Sequence, residues 1–416
     1  TGHLNHFTFY RKGKDTEMLY IIGGRVLTMS GEIWEKGYIC IEEGKIKDLG
    51  AMKNGAPFPL QSGSGMEVIN ASGSIVMPGL IEAHCHMGIT EEKKGMEGDD
   101  CNETVDPITP YLRAIDAINP MDAAFDDAVR AGITGAMIGP GSANVVGGSF
   151  AFVKTHGRNI DKLVIKNPAA MKVAFGENPK VNYGGQGKSP ATRMAIAAML
   201  REELFKAFQY REKKKKGDLK EPDFKYECWL PVLEGEIPLK AHVHRADDIL
   251  TAIRIAREYR LKMTLDHCSE GHLIAREVAE SGFPAIVGPD LASRNKIEVQ
   301  NMAFKTVGIL NKAGVKTAIT TDHPVSLIQS LPICAGMAAK AGMEEMEALK
   351  SITIYPAQIC GVDHRIGSLE KGKDADIVIF NGNPLEVATK AMCTLINGEI
   401  AYADQSFSLP TSQKQL

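Results

Sequence analysis

The chain has 416 residues, with 48 Lys and Arg against 51 Asp and Glu and a formal net charge of −3. This balance gives no indication of binding to nucleic acid or to an anionic membrane. The hydrophobic fraction of 44% with 24% charged residues is typical of a globular protein, which excludes collagen-like, coiled-coil and wholly disordered classes. No run approaches the roughly 20 apolar residues that a membrane-spanning helix needs.

The first 17 residues are polar and irregular, and a regular strand pattern starts at Met18. We expect residues 1–17 to be a vector remnant or a flexible arm, with Met18 as the natural start. No secretory signal is visible, and the eight cysteines are scattered without a Cys-x-x-Cys pair. This pattern favours reduced thiols, so the sequence predicts a cytoplasmic protein.

Two β-rich segments flank a long middle region. Residues 18–74 contain short alternating strands separated by turn pairs such as Gly23-Gly24. The same pattern returns over 366–405, where Asn397-Gly398 predicts a hairpin turn. We expect the two segments to form one small β-sandwich domain built from both chain ends, followed by a tail over 406–416.

The middle region, 75–365, alternates short apolar strands with amphipathic helices, beginning with a predicted strand over Ile75–Ala83. Repeated β-α units of this kind predict an α/β fold with a parallel sheet, and their number fits a (β/α)8 TIM-type barrel. Residues 150–166 have the pattern of an inserted hairpin. Lys296–Ala313 is predicted to be one long helix.

His84 and His86 lie at the end of the first predicted barrel strand. Side chains at positions i and i+2 of a strand point to the same face, so both imidazoles would face the upper rim of the barrel, where barrel active sites form. Alone, this pair is a weak signal, because two core or surface histidines give the same pattern. Three further predicted strands end at a group that can bind metal: His242, His267 and Asp322. The sequence therefore predicts a metal centre at the barrel rim.

Two motifs at opposite ends of the barrel carry a family resemblance. Residues 78–86 (PGLIEAHCH) resemble the PGLID-x-H-x-H signature of the amidohydrolase superfamily. Residues 366–376 (IGSLEKGKDAD) are similar to the GSLExGKxAD motif, at which the chain of that superfamily re-enters its small β-domain. The resemblance covers nearly all of 18–405, and the chain looks closest to the imidazolonepropionase-like branch.

The resemblance implies a set of metal ligands at the ends of barrel strands: His84, His86, His242, His267 and Asp322. Asp322 would also act as general base. Two-metal members carry a bridging carboxylated lysine or a glutamate on strand 4. Glu177 and Lys172 are the candidates here, and Glu177 is favoured because it lies at the predicted strand end, whereas Lys172 lies deeper. The alternative is that neither bridges and the site holds one ion.

Nitrogen and carboxylate ligands suit Zn²⁺, with Mn²⁺, Fe²⁺ and Ni²⁺ as alternatives, and we expect one or two divalent ions. A metal-bound water has its pKa lowered from 15.7 toward about 7, and Asp322 would take its proton and deliver it to the leaving nitrogen. His244 shares a strand face with His242 and is predicted to be catalytic, through the substrate or the oxyanion. A purely orienting role for His244 is the alternative.

These residues predict a metal-dependent amidohydrolase that cleaves an amide-type C–N bond, linear or cyclic, of a small substrate. A mononuclear deaminase of a small ring substrate, a dipeptidase-like enzyme and a non-catalytic scaffold are the alternatives. The Gly-rich stretch Gly139–Gly148 would suit a substrate carboxylate. Tyr183–Ser189 could act as a lid, with Lys188 or Arg193 meeting a carboxylate. We expect no nucleic-acid or membrane partner, and homo-oligomerisation stays open.

Overall fold

The computed structural model describes residues 18–52, 66–92 and 95–410. The predicted arm over residues 1–17 and the end of the predicted tail, 411–416, lie outside the described residues. Within the described ranges, no helix is both long enough and apolar enough to cross a membrane.

The N-terminal segment folds into short strands. They are β1 (Met18–Ile22), β2 (Arg25–Leu27), β3 (Ile33–Trp34), β4 (Gly37–Glu42), β5 (Lys45–Ala51), β6 (Met66–Asn70) and β7 (Ile75–Pro78). Along β1, buried Leu19 and Ile21 alternate with partly exposed neighbours, as expected for a strand with one face on a core. This strand pairs antiparallel with β4 and parallel with β6, which gives the sheet order β5-β4-β1-β6.

Eight strands then form the wall of a barrel, in the sheet order β15-β14-β13-β12-β11-β10-β9-β8. They are β8 (Leu80–Cys85), β9 (Ile133–Ile138), β10 (Val146–Lys154), β11 (Val164–Ala174), β12 (Leu239–Val243), β13 (Met263–His267), β14 (Ala285–Val287) and β15 (Thr317–Ile319). Just beyond β8 and β15, the backbone N–H of His86 donates to the His323 carbonyl at 2.8 Å, which links the two edges. The predicted TIM-type barrel is confirmed.

One barrel strand runs against the others. β10 pairs antiparallel with both β9 and β11. The hairpin expected over 150–166 is therefore present, but the prediction that it is an insertion was wrong, since its arms belong to β10 and β11. The connection over 155–163 is too short for the crossover of a dozen or more residues that a parallel pair needs, so the chain must reverse.

The apolar run predicted as one strand, Ile75–Ala83, is divided at Gly79. β7 joins the small-domain sheet, whereas β8 opens the barrel. A Cβ at Gly79 would lie only 2.1 Å from Oγ1 of Thr134 on β9, so this motif glycine allows the chain to cross close to the barrel wall.

Helices cover the outside of the barrel. They are α1 (Ala123–Arg130), α2 (Ile160–Leu163), α3 (Glu177–Gly184), α4 (Arg193–Lys216), α5 (Phe224–Glu227), α6 (Leu230–Leu233), α7 (Ala246–Glu258), α8 (Ala275–Ser281), α9 (Lys305–Lys312), α10 (Leu331–Lys340), α11 (Glu345–Lys350) and α12 (Ile354–Cys360). Along α7, Ile249, Ala252, Ile253 and Ala256 are buried at helical spacing. The long helix predicted over Lys296–Ala313 is instead a 3₁₀ turn, Ile297–Val299, followed by α9.

The C-terminal segment returns to the small domain as β16 (Ile377–Phe380), β17 (Ala391–Ile396) and β18 (Glu399–Ala403). The resulting sheet has the order β18-β17-β16-β7-β2-β3, so it contains strands from both chain ends, as predicted. The division of the chain at residues 74 and 366 stays a prediction.

A buried ion cluster joins the small domain to the barrel. The Asp374 carboxylate lies 3.1 Å from Nζ of Lys154 on β10 and 2.7 Å from Nη2 of Arg365, and it also contacts Lys45. Burial raises the pKa of Asp374, but these three cations outweigh burial and bring the pKa to about 2.

We expect this cluster to make stability depend on acid pH. Because the folded-state pKa lies below the unfolded value of about 3.9, the contribution is fully present above pH 4 and is lost as pH falls toward 2. Asp374→Asn should remove a contribution on the order of 1–2 kcal/mol and flatten the dependence in this window. The free energy of unfolding, measured with denaturant at pH values from 2 to 7, tests this prediction, and the exposed Asp116→Asn is the control. If the free energy of unfolding of Asp374→Asn changed with pH as steeply as that of the wild type, the assignment would be contradicted.

Candidate metal centre

Six predicted side chains converge at one end of the barrel, where β8, β12, β13 and β15 end. All are at most 9% exposed: His84, His86, His242, His244, His267 and Asp322. His267 and Asp322 adopt φ values of 69° and 51°, in the left-handed region that non-glycine residues rarely occupy. Such strained backbone is concentrated at functional sites.

The first group of donors surrounds Asp322. Its Oδ1 lies 3.2 Å from Nε2 of His86 and 3.5 Å from Nε2 of His84, and its Oδ2 lies 3.9 Å from Nδ1 of His267. Oδ1 is buried and accepts no well-formed hydrogen bond from the described residues. A buried carboxylate oxygen left unpaired among imidazoles fits a missing cation.

Backbone carbonyls fix two of the rings. Nδ1 of His86 donates to the Gly139 carbonyl at 2.7 Å, and Nδ1 of His267 donates to the Gly288 carbonyl at 2.8 Å. With Nδ1 engaged in this way, Nε2 of each ring is the nitrogen available to a metal, an orientation typical of metal-binding histidines.

The second group of donors consists of His242, His244 and His267, which offer ring nitrogens within 4.8 Å of one another. Nδ1 of His244 lies 2.8 Å from Oγ of Ser269, and Nδ1 of His242 is buried without a described hydrogen-bond partner. His244 thus lies among the predicted ligands, and its catalytic role stays a prediction.

The electrostatics of the cluster suit a cation. Burial lowers the pKa of His84, His242 and His244 well below the usual value, which favours the neutral form that binds metal. His86 is the exception, because Cys101 and Asp322 outweigh burial and raise its pKa to about 10. Burial alone would raise the pKa of Asp322, but the neighbouring histidines, His267 first, hold it below its usual range. Asp322 is therefore a carboxylate at neutral pH.

The two strand-4 candidates lie in different surroundings. Nζ of Lys172 is fully buried and lies 3.3 Å from Nε2 of His84, and burial lowers its pKa to about 8. Glu177 instead starts α3, because Gly176 with a φ of 82° turns the chain after β11, and Glu177 belongs to neither group of donors among the described residues. The geometry favours Lys172 over the predicted Glu177, and the identity of a bridging group stays a prediction.

Several buried groups beside the histidines were missed by the sequence interpretation. Glu298 lies 3.8 Å from Nε2 of His242, but the predicted helix over 296–313 would have left it on a helix surface. Cys101 lies within hydrogen-bonding reach of His86, and nothing in its sequence context indicates this. Lys240 could have been found, since it precedes His242 by two residues on the same strand.

The predicted substrate-binding cation Arg193 is already paired. Its Nε lies 3.1 Å from Oδ2 of Asp248. The two Gly-rich stretches contact each other through the Tyr183 hydroxyl, which donates to Oδ1 of Asn144 at 2.5 Å. Their roles in anion binding and closure stay predictions.

The chain resembles known proteins over most of its length. Its structure superposes on a solved amidohydrolase from Thermotoga maritima MSB8 with a TM-score of 0.88 and 36% identity, covering 93% of this chain and 100% of that one. The chain belongs to the amidohydrolase family. A family model described as "Amidohydrolase family" also matches residues 234–409, which include His242, His267 and Asp322.

Curated relatives agree with this assignment. The amidohydrolase tasK of Hapsidospora irregularis is 27% identical over 90% of this chain, which spans only 41% of that longer protein. A 5-methylthioadenosine/S-adenosylhomocysteine deaminase of Symbiobacterium thermophilum is 23% identical over 93% of this chain and 94% of its own. The imidazolonepropionase of Geobacillus kaustophilus is 46% identical over 72 residues, 17% of each chain.

The resemblance predicted from residues 78–86 and 366–376 is therefore confirmed, including its imidazolonepropionase-like character. The predicted enzyme class, hydrolases of C–N bonds, is the class of this family and is confirmed at that level. The family is metal-dependent, and the described residues offer two groups of metal donors.

Proposed function

We propose that the chain hydrolyses an amide-type C–N bond, linear or cyclic, of a small substrate, using a divalent metal ion held at the barrel rim. The observation that carries this proposal is the unpaired, buried Oδ1 of Asp322 facing Nε2 of both His84 and His86. This donor set fits a zinc-like cation, since nitrogen and carboxylate oxygen are its usual ligands.

When bound, such an ion supplies a Lewis acid and a water molecule of lowered pKa. The remaining steps are carried out by side chains of the protein. Asp322, ionised at neutral pH, accepts the proton of the attacking water and returns it to the leaving nitrogen. Nδ1 of His84 lies 2.6 Å from Oδ2 of Asp266, which fixes the ring and directs Nε2 inward.

For His244 we propose a contact to the substrate or to the developing oxyanion. Its ring stacks on that of His267 at 4.9 Å between centroids, with 14° between the planes, while Ser269 holds its Nδ1. This geometry supports the predicted catalytic role, a hydrogen bond to the substrate or to the developing oxyanion.

The arrangement favours a hydrolase with two ions over a mononuclear deaminase. His267 belongs to both groups of donors and can serve only one ion, because Gly288 occupies its Nδ1; an ion at His84, His86 and Asp322 therefore leaves His242 and His244 as further donors. A site with a single ion would leave some of these buried histidines without a metal to bind. Cleavage of dipeptides or of cyclic amides is included in the proposed reaction class.

Metal content and chelation test this proposal. Protein purified without chelator should carry one or two divalent ions per chain. Removing them with a chelator should abolish hydrolysis, and adding Zn²⁺ should restore it. A substrate panel should include dipeptides, N-acyl amino acids, cyclic imides and an aminopurine, the last scored by ammonia release.

Activity on the amides and imides would support the proposal, whereas ammonia release from the aminopurine alone would support the deaminase. Protein that neither contains nor takes up an ion would be a scaffold. The cytoplasmic location and any homo-oligomer stay predictions.

A further inference from the structure

The loop after β14 brings a buried carboxylate to the histidines of β12. Glu298 lies in the 3₁₀ turn Ile297–Val299 and is 2% exposed. Its Oε1 lies 3.8 Å from Nε2 of His242 and 3.8 Å from Nε2 of His244. The proposed reaction does not yet use this carboxylate.

The surrounding backbone provides a fixed place for the Glu298 side chain. Oε2 accepts a hydrogen bond from the backbone N–H of Glu177 at 2.8 Å. A Cβ at Gly176 would lie 2.7 Å from Oε2, so the glycine leaves room for the carboxylate. Because Oε2 is held by the start of α3, Oε1 is the oxygen available to the histidines.

A lysine balances the buried charge. Nζ of Lys296 lies 3.3 Å from Oε1 of Glu298 and donates to Oδ1 of Asn178 at 2.6 Å. The same carboxylate oxygen therefore faces an ammonium group and two imidazole nitrogens. An ion-pair role and a metal-binding role for Glu298 make different predictions, because only the first needs Lys296.

The donor set around Oε1 suits a cation. Ser269 and Gly288 occupy Nδ1 of His244 and His267, so Nε2 of each ring remains free. Three nitrogens and one carboxylate oxygen are a usual set for zinc. Ligands 2.0–2.1 Å from one ion lie about 3.4 Å apart in a tetrahedron, close to the 3.8 Å observed between Oε1 and Nε2 of both His242 and His244. His267 joins this set because its ring nitrogen lies within 4.8 Å of those of the other two histidines.

We propose that Glu298 is a metal ligand and that it forms, with His242, His244 and His267, an ion position separate from the one at His84, His86 and Asp322. This inference rests on the proposed metal-dependent function and gives the second ion a carboxylate from the loop after β14. It requires no bridging group from Glu177 or Lys172, and it makes Nε2 of His244 a metal ligand in place of the predicted contact to the substrate.

Ion counting on variants tests the proposal without reference to catalysis. Wild type, Glu298→Gln and Lys296→Met are purified, checked for folding by circular dichroism, dialysed and analysed for zinc per chain. Zinc and Co²⁺ titrations, the latter followed by visible absorption, give the affinity of each position. Wild type should hold two ions. Glu298→Gln should lose one, with at least about tenfold weaker binding at that position, while Lys296→Met should keep both.

If Glu298→Gln bound two ions per chain with the affinities of the wild type, the proposal would be overturned. Equal losses in Glu298→Gln and Lys296→Met would also overturn it, because they would identify Glu298 as an ion-pair partner only. Loss of an ion in Glu177→Gln but not in Glu298→Gln would assign the carboxylate to strand 4 instead. A wild type that takes up no ion would contradict the proposed function as well.

Discussion

Asp322→Asn is expected to lower kcat by about 10²–10⁴-fold, the range typical of losing a general base. The amide keeps the size of the side chain but cannot accept the proton of the attacking water. In the wild type, Oδ1 faces His86 and Oδ2 faces His267, so both carboxylate oxygens lie among the proposed ligands. Initial rates on the best amide substrate, at saturating and limiting concentrations, separate kcat from KM.

The metal content of Asp322→Asn must be measured beside its rate, because the same side chain contacts the proposed ligands. Loss of kcat with the ions retained supports the base role, whereas loss of the ions locates the defect in binding. Asp126→Asn, on the exposed surface of α1, is the control for effects of mutagenesis and purification on the rate. Unchanged hydrolysis in Asp322→Asn would refute the proposed role.

Lys240→Met is expected to destabilise the protein by about 3–5 kcal/mol, because it leaves a buried charge without its partner. Nζ of Lys240 lies 3.0 Å from Oδ2 of Asp266 and donates to the Ala83 carbonyl at 3.1 Å. The same Oδ2 lies 2.6 Å from Nδ1 of His84, so the lysine is the outer member of a chain that ends at the metal centre.

The Lys240→Met variant should therefore show two effects. Denaturant unfolding of the metal-free protein should give the stability loss, and zinc titration should show about 10–100-fold weaker binding, as found when the partners of metal ligands are removed. Lys262→Met, at an exposed position beside the start of β13, should change stability by less than about 0.5 kcal/mol. Equal stability of the two variants would contradict the buried-charge argument.

The barrel and the location of its site could be predicted because they follow from local periodicity. His84 and His86 face the same way on a strand, and strand ends gather at one rim of a barrel. The antiparallel direction of β10 could be inferred only from the length of the connection over 155–163, which is too short for a crossover.

The positions of the two carboxylates that the sequence misplaced or missed depend on loop geometry, which the periodicity of the sequence does not reveal. Glu177 lies at the end of strand 4 in sequence, but the left-handed turn at Gly176 carries it into α3. Glu298 fits the helical pattern of the sequence before α9, yet the chain forms a separate 3₁₀ turn that directs the carboxylate toward β12. Both depend on how loops at the rim pack against each other.

The sheet shared by β7 and β16 has a consequence for how the protein is made. β7 is translated before the barrel, and its neighbour β16 after it, so the pairing of Val76 with Ile379 joins segments about 300 residues apart in the chain. During synthesis, β7 cannot pair with β16 until the whole barrel has been translated. The sheet can therefore be completed only after the whole barrel has been synthesised, when β16 pairs with β7.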